Sequence, residues 1–75
     1  MEIIVYYGNG CSACHEQMEY FKYKNVPFTA KNVHTDPTAR DELIALGSKT
    51  IPTTVIANEV VVGFQVDRIK ELVGI

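Results

Sequence analysis

Cysteine is scarce in this sequence: Cys11 and Cys14 are the two that 75 residues contain. A domain of this size that is held together by disulfides draws on about two to four bridges between distant points. A bridge between Cys11 and Cys14 closes a very short loop and removes little entropy from the unfolded chain, so the pair is a poor staple. Basic residues are also few, seven of them scattered in a chain of net charge −2, which speaks against a polyanion binder and sets the expectation of no nucleic-acid partner. No apolar stretch approaches the roughly 18 residues a membrane span requires, so no membrane association is expected. The start, Met1 to Val5, lacks a charged leader, a long apolar run and a small-residue cleavage site, and a cytoplasmic location is the expectation. Repeats, low-complexity tracts and linkers are missing as well. Residues 1–75 are expected to form a single domain. A chain this short buries only about 60% of the surface it exposes when unfolded, which argues against a two-domain enzyme and against a large substrate cavity.

What is present is regularly punctuated. Ile3 to Tyr7 is a β-branched and aromatic run stopped by Gly8-Asn9-Gly10, and its continuous apolar character predicts a central strand covered on both faces. Cys14, Met18 and Phe21 then recur at helical spacing, predicting an amphipathic helix that ends near Lys24-Asn25. Phe28 to Val33 reads as a second strand. Asp36-Pro37 is a helix start, with Asp as N-cap and Pro at the first helical position. Leu43, Ile44 and Leu46 supply that helix's apolar side, and Gly47 is a natural residue just past its end. Ile51 to Ile56 and Val60 to Phe64 read as a hairpin. Asp67 is expected to cap a last helix carrying Ile69, Leu72 and Val73. The order β-α-β-α-β-β-α predicts an α/β fold: a mixed four-stranded sheet, its first two strands parallel through a right-handed crossover, with helices on both faces.

Cys11-Ser12-Ala13-Cys14 falls where the first strand gives way to the first helix. The first turn of a helix carries unpaired amide hydrogens and the positive end of the helix dipole. Both favour a thiolate, and a cysteine so placed ionises well below its ordinary range. Cys11, at the helix mouth, is expected to be the exposed nucleophile. Cys14, one turn in on the apolar stripe, is expected to be the resolving thiol that displaces the product from a mixed disulfide. A C-x-x-C pair inside a βαβ unit is the pattern of a thioredoxin-type redox motif.

Two other chemistries share these residues. With His15 the stretch also reads C-x-x-C-H, a haem-attachment pattern. A downstream Met ligand is missing, since Met1 and Met18 are the only methionines, and His34 would have to substitute. A zinc site from Cys11, Cys14, His15 and His34 would have one cysteine pair where structural zinc usually has two paired clusters. No metal site is expected. His15 itself reads as a helix-surface residue, with a minor role in adding positive charge beside Cys11.

Tyr6, Cys11-x-x-Cys14, Thr50-Ile51-Pro52 and Gly63-Phe64-x-x-Asp67 together resemble the glutaredoxin family of the thioredoxin superfamily, in order and over nearly the whole chain. The resemblance implies a thioredoxin fold and a dithiol glutaredoxin-like protein-disulfide reductase. It implies that Pro52 is a cis-proline facing the cysteine pair, and that the Ile51 backbone pairs with an incoming peptide or glutathione like an added strand. Lys49 lies where the family often places a basic residue near the glutathione carboxylate. Thr50, Gly63, Phe64 and Asp67 complete the implied substrate-binding set. Typical glutathione-dependent members carry C-P-Y-C and a Gly-Gly pair before the last helix. Here Ser12-Ala13 fills the spacer and Phe64 replaces the second glycine. Gly63-Phe64-Gln65-Val66-Asp67 instead is similar to the NrdH-type redoxins, which take electrons from thioredoxin reductase, although Val62 stands where those carry Trp. The expectations are a monomer without a bound cofactor, protein or glutathione mixed disulfides as substrates reduced through a Cys11/Cys14 cycle, and glutathione or thioredoxin reductase as electron source. Iron–sulfur carriage between two chains, which some glutaredoxin relatives perform with one Cys plus glutathione, is the alternative from another class.

Overall fold

Alternation along β1 (Ile3–Tyr7) sets the layering. In the computed structural model, which describes residues 2–75, Ile3 and Val5 turn to one face of the sheet and meet Phe21, Ile56, Val61 and Ile69. Tyr6 turns to the other face and meets Val33, Ala39 and Leu43, with Ile4 packed against that cluster. Two cores therefore flank one strand, as its unbroken apolar character predicts. The remaining elements are α1 (Ser12–Tyr23), β2 (Thr29–Asn32), α2 (Pro37–Ala45), β3 (Thr53–Ile56), β4 (Glu59–Val62) and α3 (Val66–Val73). The sheet runs β2-β1-β3-β4. β1 is parallel to β2, with Val5 beside Ala30, and antiparallel to β3, with Val5 beside Thr54. Phe21 and Ile69 bring α1 and α3 to the first face, and Ala39 and Leu43 bring α2 to the second. This is the thioredoxin-type mixed sheet with helices on both sides. Phe21, Ile56, Ile69 and Val5 are fully buried, each contributing about 1.5–3 kcal/mol relative to exposure.

Local signals explain most boundaries. Asp36 accepts from the amides of Thr38 and Ala39 as N-cap, with Pro37 at the first helical position, an arrangement worth about 1 kcal/mol. Gly47, at φ 81°, ends that helix in the left-handed region. Ala57 and Asn58, at φ 50° and 69°, form the two-residue β3–β4 turn, since a turn with both central residues at positive φ matches the twist of a hairpin.

Four expectations need correction. The hairpin strands are shorter than the apolar runs. β3 starts at Thr53 because Pro52 has no amide hydrogen to give the ladder. β4 stops at Val62 because Gly63 turns away at φ 82°. Ile44 is 59% exposed rather than on the buried side of α2; Ala39 and Leu43 hold that side, and Ile44 falls just outside the stripe they define. Asp67 is not the N-cap of α3. Gln65 occupies that position without a side-chain capping bond, because its Nε2 donates instead to the Val62 carbonyl at 2.7 Å. Asp67 sits in the first turn, where its charge still favours the helix dipole.

One polar cluster ties α2 to the sheet. Glu42 Oε1 accepts from the Tyr6 hydroxyl at 3.0 Å and from Lys31 Nζ at 2.9 Å. The Lys31 hydrogen bond, then the Tyr6 hydroxyl, hold the Glu42 carboxyl below the usual carboxylate range. A carboxyl whose folded value is depressed adds stability that is present above its unfolded value and is lost as pH falls through the folded one. Wild-type protein is therefore expected to lose urea resistance below about pH 4.3, the ordinary glutamate value, and Glu42→Gln to show a smaller gap between the urea midpoints at neutral and strongly acidic pH. Both side chains are part-exposed, so added salt is expected to narrow the wild-type gap.

Candidate active site

Gly8-Asn9-Gly10 carries the chain from β1 into α1, and Gly10 takes φ 70°, a left-handed conformation that glycine adopts without strain. The turn delivers Cys11 in extended geometry, φ −96°, as the N-cap of α1. Its Sγ accepts a hydrogen bond from the Cys14 amide at 3.1 Å. A sulfur thus takes the place that a Ser or Asp oxygen fills in an ordinary cap, facing an orphan amide at the positive end of the helix. Negative charge on that sulfur is favoured by the same geometry. Cys14 is 1% exposed, whereas Cys11 is half-buried. Their Cα atoms lie 5.2 Å apart and the two sulfurs are joined as a disulfide. Tyr7, Gly8, Ser12, His15 and Met18 line the shallow cavity of about 460 Å³ over the pair.

The approach loop is held by side chains. Asn9 donates its amide to His34 Nδ1 at 2.8 Å, Asn32 Nδ2 donates to Asn9 Oδ1 at 3.0 Å, and the His34 amide donates to Asn32 Oδ1 at 2.8 Å. His34 is therefore engaged in positioning the loop. Among the described residues no three Cys, His, Asp or Glu side chains are grouped to hold a metal ion. At Gly8 the constraint is space rather than backbone angle, and a larger residue would have to displace the His34 and Ile51 side chains. A Cβ there would fall 2.6 Å from His34 Cε1 and 2.7 Å from Ile51 Cδ1, inside any real contact distance.

The other sequence-predicted residues fall into separate groups. The Ile51–Pro52 peptide is cis, and Pro52 is buried. Its carbonyl accepts from the Gly63 amide at 2.7 Å, so the Pro52 and Gly63 segments are joined. Phe64 packs its ring on Tyr20 of α1, centroids 6.0 Å apart. The Thr50 carbonyl is already engaged by Ser48 Oγ and Thr53 Oγ1. Lys49 is exposed and lines a second cavity together with Ile51. Asp67 is exposed on α3, and no hydrogen bond or ion pair ties it to the cysteine or proline segments. That second cavity, about 770 Å³ and walled by α2 and the 47–51 loop, is larger than the chain length suggested. It is a cleft left open between elements rather than space enclosed by a core.

Gln17 escaped the sequence reading. It is fully buried, one turn past Cys14, and donates through Nε2 to the buried Thr54 Oγ1, while its Oε1 has no partner among the described residues. Its spacing from Cys14 and Phe21, at i+3 and i−4, was the available signal. A polar residue on an apolar stripe marks a buried hydrogen bond.

Taken together, an amide-stabilised sulfur and a buried second sulfur within bridging distance can cycle between dithiol and disulfide. The comparisons with known proteins agree. Residues 3–61 match the family model for Glutaredoxin. No curated protein matches the chain. Among solved structures, the thioredoxin-like protein BC3987 is 36% identical, with 95% of this chain and 99% of that one covered and a TM-score of 0.91. NrdH-redoxin from Escherichia coli, described as a glutaredoxin-like protein with a thioredoxin-like activity profile, is 29% identical over 96% of this chain and 95% of that one, TM-score 0.87. A glutaredoxin from Archaeoglobus fulgidus shares the fold at 22% identity, with 96% and 85% covered and a TM-score of 0.81. The chain, with its C-x-x-C redox pair at the mouth of α1, is similar to an NrdH-redoxin and belongs to the glutaredoxin family.

Proposed function

We propose that the chain is a dithiol–disulfide oxidoreductase that reduces protein disulfides, with Cys11 as nucleophile and Cys14 as resolving thiol. The observation that carries the proposal is the Cys14 amide donating to Cys11 Sγ at 3.1 Å while Cys14 itself is buried. The Cys11 thiolate attacks one sulfur of the substrate disulfide, and a mixed disulfide forms as the first substrate thiolate leaves and takes a proton. Cys14 then gives up its proton and attacks Cys11 Sγ, expelling the second substrate thiol and leaving the Cys11–Cys14 disulfide. Two electrons have passed from the dithiol to the substrate. A separate reductant must return them, and the cycle needs no resident cofactor. Pro52 and Ile51, with Thr50 and Gly63 beside them, shape the substrate groove in this reading, and Lys49 lies at its edge.

Phe64 favours thioredoxin reductase over glutathione as the electron source. Its ring lies on Tyr20 where typical glutathione users have a second glycine and an open backbone, and the likeness to an NrdH-redoxin points the same way. Turnover of a protein disulfide should be compared with thioredoxin reductase and NADPH against glutathione, glutathione reductase and NADPH. Faster turnover with thioredoxin reductase is expected. Efficient glutathione turnover would reverse the choice of donor, and no disulfide reduction with any reductant would remove the oxidoreductase reading itself.

A further inference from the structure

The turn that presents Cys11 is fastened by a titratable ring. The Asn9 amide, two residues ahead of the nucleophile, donates to His34 Nδ1 at 2.8 Å. A nitrogen that accepts carries no proton, so the neutral imidazole bears its hydrogen on Nε2. The ring also abuts the turn: a Cβ on Gly8 would fall 2.6 Å from His34 Cε1 and 2.8 Å from Nδ1. The other side-chain ties run through amides that do not titrate, from Asn32 Nδ2 to Asn9 Oδ1 and from the His34 amide to Asn32 Oδ1. Among the described hydrogen bonds of the turn, the one to His34 Nδ1 is the contact that a proton reverses.

An imidazolium donates from both nitrogens. In the present arrangement its Nδ1–H would face the Asn9 N–H, donor against donor, across 2.8 Å. The hydrogen bond is then lost, and either the ring leaves or the turn moves. The charged groups that share the ring's cleft are cations, Arg40 from α2 and Lys49 from the 47–51 loop, and no carboxylate lines it. Asp36, two positions on in the ring's own segment, is engaged by the amides of Thr38 and Ala39 as the N-cap of α2. Gly8-Asn9-Gly10 brings no titratable side chain, and Tyr7 and Cys11 flank it.

The nucleophile depends on how the turn enters α1. Cys11 is held at φ −96° as N-cap, with Sγ opposite the Cys14 amide. Once Asn9 is released, that entry is no longer fixed, and the sulfur spends less time opposite the amide that favours its thiolate.

We infer that His34 is a pH-sensitive latch on the nucleophile: the neutral ring holds the Gly8–Gly10 turn so that Cys11 caps α1, and the protonated ring releases the turn and lowers the reactivity of Cys11 toward disulfides. The inference rests on the oxidoreductase reading and adds to it a positioning residue that couples the redox pair to pH. Histidine suits that task as the side chain whose charge ordinarily changes nearest neutral pH.

The test has two arms. In the oxidised full chain, where no thiol titrates, NMR follows the His34 Cε1 proton and the Asn9 amide together. The Asn9 shift is expected to track the His34 titration. Its protection from hydrogen exchange, corrected for the intrinsic pH dependence, is expected to fall on the order of fivefold as the ring takes its proton, the size of one lost hydrogen bond. In the reduced chain, single-turnover consumption of a small neutral disulfide is compared with that of His34→Asn, whose Oδ1 accepts in the place of Nδ1 and does not titrate. Above the His34 midpoint the two rates are expected to agree. Below it the wild type is expected to be slower than His34→Asn, again on the order of fivefold. His34→Leu, which has no acceptor, is expected to be slower than His34→Asn on both sides of the midpoint. His15, which lines the cavity over the cysteines, is the same in all three proteins, so its charge cancels from the ratios. Circular dichroism checks that each variant is folded. An Asn9 amide indifferent to the His34 titration, or a ratio of wild type to His34→Asn that is the same on both sides of the midpoint, would overturn the inference while leaving the oxidoreductase reading intact. A wild type faster than His34→Asn below the midpoint would overturn it too, by showing that the charge of the ring acts on Cys11 rather than its hold on the turn. No consumption of the disulfide by any of the three proteins at either pH would mark failure of the oxidoreductase reading instead.

Discussion

Cys11→Ser is expected to bring disulfide exchange down by orders of magnitude, to the uncatalysed background, whereas Cys14→Ser keeps the first step and accumulates a mixed disulfide with the substrate. The asymmetry follows from position on the helix. Cys11 is the N-cap, with Sγ facing the Cys14 amide at 3.1 Å, and it is the half-exposed member of the pair. Serine in its place preserves the cap and the fold, since a hydroxyl accepts the same amide, but it is not a nucleophile toward sulfur at neutral pH. Removing the attacking group eliminates the reaction rather than slowing it. Cys14 is 1% exposed and acts only on the Cys11 sulfur once that sulfur is bonded to the substrate. Without it the mixed disulfide has no internal exit. Intact-protein mass spectrometry of each variant, incubated with a peptide disulfide, reads both outcomes. Retained dithiol turnover in Cys11→Ser would reverse the two roles.

Phe21→Ala is expected to remove a large share of the domain's stability and to lower its urea midpoint sharply. Phe21 is fully buried in the core that joins α1 to the sheet and packs against Phe28, with ring centroids 5.5 Å apart. Truncating a buried Phe to Ala costs about 3–5 kcal/mol through lost transfer and a residual cavity. A domain of 75 residues typically holds only about 4–11 kcal/mol in total. Tyr23 lies two positions on, in the last turn of the same helix, and is 81% exposed. Tyr23→Ala is expected to change stability by about 0.5 kcal/mol or less. Urea unfolding followed by circular dichroism separates the two. Similar midpoints for both variants would mean that the α1 face is not anchored as described.

The parts of the fold written in local chemistry were legible beforehand. Asp36-Pro37 and Gly47 bracket α2 because capping is decided within a few residues of chain. The unbroken β1 run declared a strand covered on both sides, and the Cys pair declared its own place between strand and helix. What the sequence concealed depends on partners distant in the chain. Asp67 resembles an N-cap in isolation, but Gln65 reaches back to the Val62 carbonyl and the helix opens two residues earlier. Ile44 carries the composition of a core residue, and only the placement of α2 against the sheet turns it outward. Gln17 looks like a solvent-facing residue until Thr54, 37 positions away in sequence, is brought beneath it. The cleft beside α2 is least legible of all, since the residues that line it come from a helix and two loops with no shared motif. The redox pair was readable because its chemistry needs two cysteines three positions apart. The cleft was not, because residues that line a cleft between elements have no fixed spacing along a chain.

The central claim is that Cys11 is an activated nucleophile at the mouth of α1 and Cys14 is its shielded partner. Alkylation of the fully reduced protein with iodoacetamide across pH, with each cysteine quantified by peptide mapping, tests it most directly. The expected result is fast modification of Cys11, with a rate profile displaced to lower pH than an ordinary thiol, and slow modification of Cys14. Equal slow rates at both cysteines, titrating together near the ordinary thiol value of about 8.5, would contradict it.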